Sequence, residues 1–556
     1  MKISGAQIVA ETLIEQGCDI LFGYPGGQVL NIFDELYKKQ DELEVVLTAH
    51  EQGASHAADG YARVSGKVGV VVATSGPGAT NLVTGLATAN LDSVPIVAIT
   101  GNVPCDLLGL DSFQEVDIVD ITKSVTKRNF IVKDVTKLAD TIRMAFKIAK
   151  SDRPSPVLID IPKDVQIAVC EYERQAVEEP FPVAAADEND ILRAAEMIAE
   201  SKRPYIYVGG GTVASGASEI ISKLADKIDA PIGSTLMGLS LISDDNPRFL
   251  GMQGMHGRYS SSMAQNEADL IIAVGTRFSD RATGNKKKYA SSAKIIHIDI
   301  DSNEINKNVT ANLGITADIK ETLIRIFDKA AEKKNSDWNK RIEELKNIEK
   351  NLLKQPERLT PYKIIDIINS VTKDDTVVVT DVGQHQMWTA QYYAFKTPRT
   401  FVTSGGLGTM GFGLGAAIGA QKASNKHTLL ITGDGSFGMN LNELATAVSQ
   451  DSPLVILIMN NNVLGMVRQW QTLFYGKRYS SSVLNRKTDF VKLAQAFGAE
   501  GMAVKSEAEL KTAVKKAFSY NGTFVIDCYV ESDEFVLPML PPGGSIDDMI
   551  TELNNV

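Results

Sequence analysis

Residues 427–447, HTLLITGDGSFGMNLNELATA, and 452–471, SPLVILIMNNNVLGMVRQWQ, set two short apolar runs in series. The first ends on Gly433-Asp434-Gly435 and the second on Asn460-Asn461-Asn462. Each run is bounded by turn residues and is shorter than an ordinary helix, which reads as a strand buried on both faces. The 24 residues between Gly435 and Asn460 suffice for one crossover helix, so the two strands are predicted to be parallel neighbours. Asp434 and Asn461 then meet at the carboxyl edge of a sheet, where open α/β sheets hold their ligands.

A carboxylate, an amide oxygen and a free backbone carbonyl at that edge form a hard oxygen site suited to octahedral Mg²⁺ bridging to phosphates. The flanking glycines let the backbone approach a diphosphate closely. A glycine-rich turn plus an asparagine cap would explain either motif alone; the two at this spacing favour the site.

The same alternation runs outward through the chain. Strand-like segments at 21–24 (LFGY), 44–48 (EVVLT), 67–74 (KVGVVVAT), 93–100 (SVPIVAIT) and 155–162 (SPVLIDIP) alternate with small-residue helical segments. A second series begins at 203–211 (RPYIYVGGG), and a third at 375–383 (DTVVVTDVG). The fold class read from this is α/β, with three doubly wound domains of mostly parallel sheet. Their predicted bounds are 1–170, 188–330 and 360–556. The acidic, proline-bearing stretch 171–190 reads as a linker, and the charged stretch 330–355 as an exposed helical connector.

Composition narrows the class. The 556 residues are 44% hydrophobic and 22% charged, an ordinary globular balance that supports about three domains. A net charge of −11 offers nucleic-acid phosphates nothing to neutralise, so no nucleic-acid partner is expected, and Lys286–Lys288 read as a solvated face. Cys18, Cys105, Cys170 and Cys528 are too scattered for a disulfide framework or a zinc knuckle. No run reaches the ~18 apolar residues of a membrane span. The expected location is cytoplasmic, or plastid or mitochondrial had a transit peptide been removed.

One further stretch, HEQGASHAADGYA at 50–62, puts an acid at the head of a run of small residues. His50 and His56 lie about 240° apart around a helix, which excludes a shared zinc-binding face. Taken alone, Glu51 reads as an acid favoured at a helix N-terminus.

The ordered motifs support a resemblance. GDG followed by NN resembles the cofactor motif of thiamine-diphosphate (ThDP) enzymes. Several further segments resemble the large catalytic subunits of the acetohydroxyacid (acetolactate) synthase family. They are YPGGQVLNIFDELY (24–37), DSFQEVDIV (111–119), RPSPVLIDIPKDV (153–165), VGTRFSDRATG (274–284), TSGGLGTMGFGLGAAIGA (403–420), GMVRQWQTLFY (465–475) and VLPMLPPGGSIDDMI (536–550).

The resemblance implies specific roles. Asp434, Asn461 and the Val463 carbonyl would hold Mg²⁺. Gln384, His385, Gly408, Gly433, Gly435, Ser436, Gly465 and Met466 would line the ThDP site, with Met410 bending the cofactor. Glu51 would share a proton with its pyrimidine ring. Arg281 would hold the carboxylate of the second 2-ketoacid, a task suited to a guanidinium fork. Trp470 would favour the larger acceptor, and Gly27, Phe113, Gln114 and Lys163 would line the approach. Arg153, Gly210, Thr235, Leu236, His256, Gly275, Arg277, Glu304 and Asp318 would contact FAD in the middle domain. Three positions depart from the usual pattern: Gln28 for Ala or Ser, Ser279 for Asp, and Gly415 for Pro.

The implied reaction decarboxylates pyruvate on ThDP and transfers the hydroxyethyl group to a second 2-ketoacid. The product is 2-acetolactate or 2-aceto-2-hydroxybutyrate, in branched-chain amino-acid biosynthesis. A homodimer or tetramer and a regulatory small subunit are implied partners. The competing readings are a ThDP and FAD pyruvate oxidase, an FAD-independent catabolic acetolactate synthase, and a non-catalytic nucleotide-binding module.

Overall fold

A computed structural model describes residues 1–353 and 356–552. It contains three six-stranded sheets in which every strand pair is parallel.

The first sheet runs, in spatial order, Glu44–Leu47, Ile20–Tyr24, Gly69–Ala73, Ile96–Asn102, Val157–Pro162 and Arg128–Ile131. Successive residues of its central strands feed two different cores. Val70, Val72, Val97 and Ile99 pack on one face, and Val71, Ala73, Ile96 and Ala98 on the other. This is the alternation of a strand covered by helices on both sides. The third sheet runs Phe401–Val402, Val377–Thr380, Thr428–Gly433, Leu454–Asn460, Phe524–Tyr529 and Glu500–Val504. Counted along the chain, both sheets have the strand order 2-1-3-4-6-5.

The middle sheet differs. Its order is Phe249–Met252, Ile232–Ser234, Pro204–Val208, Leu270–Val274, Lys294–Asp299 and Leu313–Thr316, the 3-2-1-4-5-6 arrangement of dinucleotide-binding sheets. The direction of winding reverses between Val208 and Val274, which opens a crevice there.

One sequence expectation needs correction. The segment at 336–352 is a helix, Ser336–Leu352, but it is not a free connector. Trp338, Ile342 and Leu345 recur at helical spacing and fill the core on one face of the middle sheet, and the Trp338 indole N–H donates to the Pro204 carbonyl at 3.1 Å. Glu349 on the same helix pairs with Arg258 at 2.8 Å. Residues 354 and 355 of that stretch, and 553–556 of the third predicted domain, lie outside the described residues. The linker, in turn, is pinned at its start. Val169–Glu171 pairs antiparallel with Lys2–Ser4, and the Tyr172 hydroxyl donates to Glu15 at 2.9 Å.

The first and third domains meet along two helices, Glu51–Ser65 and Phe412–Ser424. Their shared face is built from Ala57, Gly60, Ala416 and Gly419, and the backbones touch. A Cβ at Gly60 would strike the Ala416 carbonyl, and one at Gly419 the Ala57 carbonyl. Removing a helical glycine ordinarily gains up to about 1 kcal/mol, whereas overpacking against atoms that cannot yield costs about 1–3 kcal/mol. Gly419→Ala is therefore expected to lower the thermal midpoint, read by differential scanning calorimetry; an unchanged or raised midpoint would show that the helices can separate at no cost.

Candidate active site

The carboxyl edge of the third sheet gathers the motif residues. Thr428–Gly433 and Leu454–Asn460 are adjacent parallel strands, with Gly433 opposite Met459, so Asp434 and Asn461 leave neighbouring strand ends. Asp434 is buried, and that burial pushes its carboxyl up to about 6, opposed by backbone N–H groups including those of Gly435, Asn462 and Asn461. No basic side chain pairs with it among the described residues. A buried carboxylate held only by amides suits a bound cation, which would hold it ionised. The Asn461 side-chain oxygen accepts the Val463 N–H at 3.1 Å, which bends the chain after the strand.

The third sheet's own winding reversal lies between Thr380 and Thr428–Gly433, and Gln384 and His385 open the helix that follows it. The His385 imidazole is buried and lowered by that burial to about 3, and its Nε2 has no partner. It lies over Gly433, where a Cβ would come within 3.0 Å of Nδ1. Gln384 is already engaged: its amide donates to Gln469 at 3.0 Å and to the Glu534 carbonyl at 2.8 Å. Its oxygen fills the space a Cβ at Gly465 would need. Ser436 donates to the Val382 carbonyl at 2.9 Å.

A cavity of about 1350 Å³ opens in the middle sheet's crevice and reaches Val382, Gly383 and Met410 of the third domain, while Asp434, Asn461, Gln384 and His385 do not line it. That exceeds the ~300–1,000 Å³ usual for one small ligand. Gly408, Met410, Met466 and Trp470 line it from the third domain. From the middle domain come Gly210, Thr235, Leu236, His256, Gly275 and Arg277, and also Glu304 and Asp318, most of them just beyond strand ends. Arg153 reaches in from the first domain and pairs with Glu304 at 2.9 Å. All nine flavin candidates thus face one space. Three features there suit an anionic dinucleotide such as FAD. Arg277 forms no ion pair among the described residues, and its guanidinium is lowered by burial and then by the charge of Arg153. His256 carries a buried, unpartnered Nδ1 and is lowered to about 4, first by burial and then by Arg281. Gly275 has φ +56°, and its Cα lies so near Gly211 that a Cβ there would meet it.

Arg281 and Trp470, predicted to touch the same substrate, do adjoin each other. The guanidinium lies 5.5 Å from the indole centroid, a cation–π contact, and the indole N–H is buried without a partner. Ser279 is exposed and opens the short helix Asp280–Thr283 that carries Arg281.

The remaining predicted residues form a separate group on the first domain. Glu51 is the first residue of its helix and is not the cap: His50 occupies that position and accepts the Gln52 N–H. The Glu51 carboxylate accepts from Asn81 at 3.0 Å and lies beside Gly78. Lys163 donates to the Gly27 carbonyl at 3.1 Å. Gln114, at φ +60°, sits against Gly76, and Phe113 is 85% exposed. None of these residues lines the cavity that holds Met410 and Trp470.

Sequence reading missed Asp381. Its carboxyl is buried, raised by that burial to about 6, and accepts the Gly411 N–H at 2.8 Å directly beside Met410. The signal was present, since Asp381 follows an apolar strand just as Asp434 does.

Comparison with known proteins agrees with this architecture. Residues 3–121 match the thiamine pyrophosphate enzyme N-terminal TPP binding domain, 191–326 the central domain of the same enzymes, and 381–528 their C-terminal TPP binding domain. The fold is that of a thiamine-pyrophosphate enzyme. Among full-length relatives, the "Probable acetolactate synthase large subunit" of Methanocaldococcus jannaschii is 44% identical over 99% of this chain and 95% of its own. The acetolactate synthase isozyme 3 large subunit of Escherichia coli K12 is 40% identical over 98% of each chain, and the acetolactate synthase large subunit of Buchnera aphidicola (strain Sg) is 41% identical over the same shares. The chain belongs to the acetolactate synthase large-subunit family.

Proposed function

We propose that this chain joins two 2-ketoacids with loss of CO₂, forming 2-acetolactate from pyruvate or 2-aceto-2-hydroxybutyrate when 2-ketobutyrate is the acceptor, in branched-chain amino-acid biosynthesis. The observation that carries the reading is the single cavity in which Met410 and the Arg281–Trp470 pair face all nine flavin candidates.

Asp434, Asn461 and the Val463 carbonyl are the groups that would hold Mg²⁺ and, through it, the diphosphate of ThDP; His385, with its free Nε2, is a further anchor. Bound there, ThDP would supply a cationic thiazolium ring able to delocalise the electron pair left when pyruvate loses CO₂. Met410 supports the cofactor from below, and Asp381 fixes the turn behind it. Glu51 shares a proton with the pyrimidine ring, held in place by Asn81. Arg281 grips the acceptor carboxylate and Trp470 walls the space for its alkyl end. FAD in the middle crevice has a structural role.

By the resemblance to the family, the complete centre forms between the first domain of one copy, which supplies Glu51, Gly27, Gln114 and Lys163, and the third domain of another. A dimer is then the minimal active unit. A regulatory small subunit accompanies it, as the "large subunit" names of the relatives imply. Among the described residues no helix is long and apolar enough to cross a membrane.

The test is product analysis with pyruvate and 2-ketobutyrate in competition, with ThDP, Mg²⁺ and FAD supplied. Acetohydroxyacids are expected; acetate or acetyl phosphate with hydrogen peroxide, and no acetolactate, would overturn the reading in favour of an oxidase. One methylene in an apolar pocket is worth about 1–3 kcal/mol. Trp470→Leu is therefore expected to lower the preference for 2-ketobutyrate by ~10-fold or more, and an unchanged product ratio would remove Trp470 from acceptor selection.

A further inference from the structure

The loop Thr403–Met410 belongs to the third domain but is fastened from the first. Asp92, at the end of the helix Val83–Asp92, accepts the backbone N–H groups of Gly405 at 3.0 Å and Gly406 at 2.7 Å. The same carboxylate takes one arm of Arg63 at 3.0 Å. Arg63 donates from its other terminal nitrogen to the Thr403 carbonyl at 2.9 Å and pairs with Asp59 one helical turn back. At the far end of the loop the hydroxyls of Thr88 and Thr409 lie 2.7 Å apart. The side chains of Asp59 and Asp92 are fully buried and that of Arg63 is 11% exposed.

Two carboxylates and a guanidinium withdrawn from water contribute little net stability over apolar residues of the same volume. What they add is direction, since a guanidinium and two carboxylates tolerate few arrangements. Here the directed object is a short glycine-rich loop. Gly408 in it has φ +71° and Gly411 just beyond has φ +87°, so its backbone would be loose without fastening. It ends at Met410, on the cavity wall.

We propose that Asp59, Arg63, Asp92 and Thr88 form a positioning clamp that fixes Met410 in the cavity and thereby the angle between the two rings of the bound cofactor. This rests on the reading that the cavity takes ThDP. None of the four touches the reacting atoms in this assignment; they act through the loop.

The experiment uses the full-length protein loaded with ThDP, Mg²⁺ and FAD and no substrate. It measures hydrogen–deuterium exchange at C2 of the bound thiazolium by acid quench and proton NMR, together with ThDP affinity and the thermal midpoint. A displacement of about 1 Å costs on the order of 100-fold in a positioned reaction. At saturating ThDP, Asp92→Asn and Thr88→Val are therefore each expected to slow C2 exchange by ~10-fold or more. Asp92→Asn combined with Met410→Ala is expected to exchange no more slowly than Met410→Ala alone, because both act at one point. Wild-type exchange in both single variants, a fully additive loss in the double variant, or a lowered midpoint with exchange intact would overturn the clamp. Should Asp92→Asn fail to fold, the Thr88→Val rate decides by itself. Failure of the wild-type protein to bind ThDP would overturn the underlying reading and the clamp with it, and is distinguished by the affinity measurement.

Discussion

Glu51→Gln retains ThDP but loses carboligation by ~10²- to 10⁴-fold, the usual contribution of a placed acid–base group. The amide keeps the shape and can still meet Asn81, whose side chain donates to Glu51 at 3.0 Å, so the helix Glu51–Ser65 and its packing against the third domain should stand. What is removed is the capacity to share a proton. The measurement is acetolactate formation at saturating ThDP, with cofactor affinity determined in parallel. A variant that keeps full rate would return Glu51 to the bland role of an acid at a helix N-terminus.

Asp434→Ala is expected to act earlier, at cofactor loading. Changes merely outside a metal's ligand shell cost ~10- to 100-fold in metal affinity, and removal of a ligand should cost at least that. Titrations of ThDP at fixed Mg²⁺, and of Mg²⁺ at fixed ThDP, should shift together, whereas bound flavin should be unaffected because its candidate contacts lie on the other two domains. Equal affinity in the variant and the parent would exclude Asp434 from the metal site. The two substitutions thus separate a chemical defect from a loading defect.

Much of this was readable in the chain because its signals are local. A buried parallel strand is a continuous apolar run, and the residue that follows it faces the ligand edge. Asp434 and Asn461 could be placed from that rule alone. Edge strands were the first to escape: Arg128–Ile131, Leu313–Thr316 and Glu500–Val504 are partly exposed and lack an apolar run. The helix Ser336–Leu352 was misjudged because its many charges outweighed three buried apolar residues spaced along one face. Least legible were relations between distant segments. Asp92 reaches a loop more than 300 residues later, with the 313 positions to Gly405 leaving no local trace. The matching strand orders of the first and third sheets emerge only once each strand has a neighbour. That Glu51 lies outside the cavity lined by Met410 reflects domain placement, which no local motif records; only the family resemblance pointed to a centre shared between chains.

That separation has a genetic reading. If each chain lends its acid to a neighbour while keeping its own metal anchor, a copy damaged at Glu51 and a copy damaged at Asp434 carry lesions that fall in different centres. Assembled together, such a pair concentrates both defects in one centre and leaves the other with undamaged parts from each parent. Two silent alleles would then complement each other in a mixed population, although neither supports growth by itself.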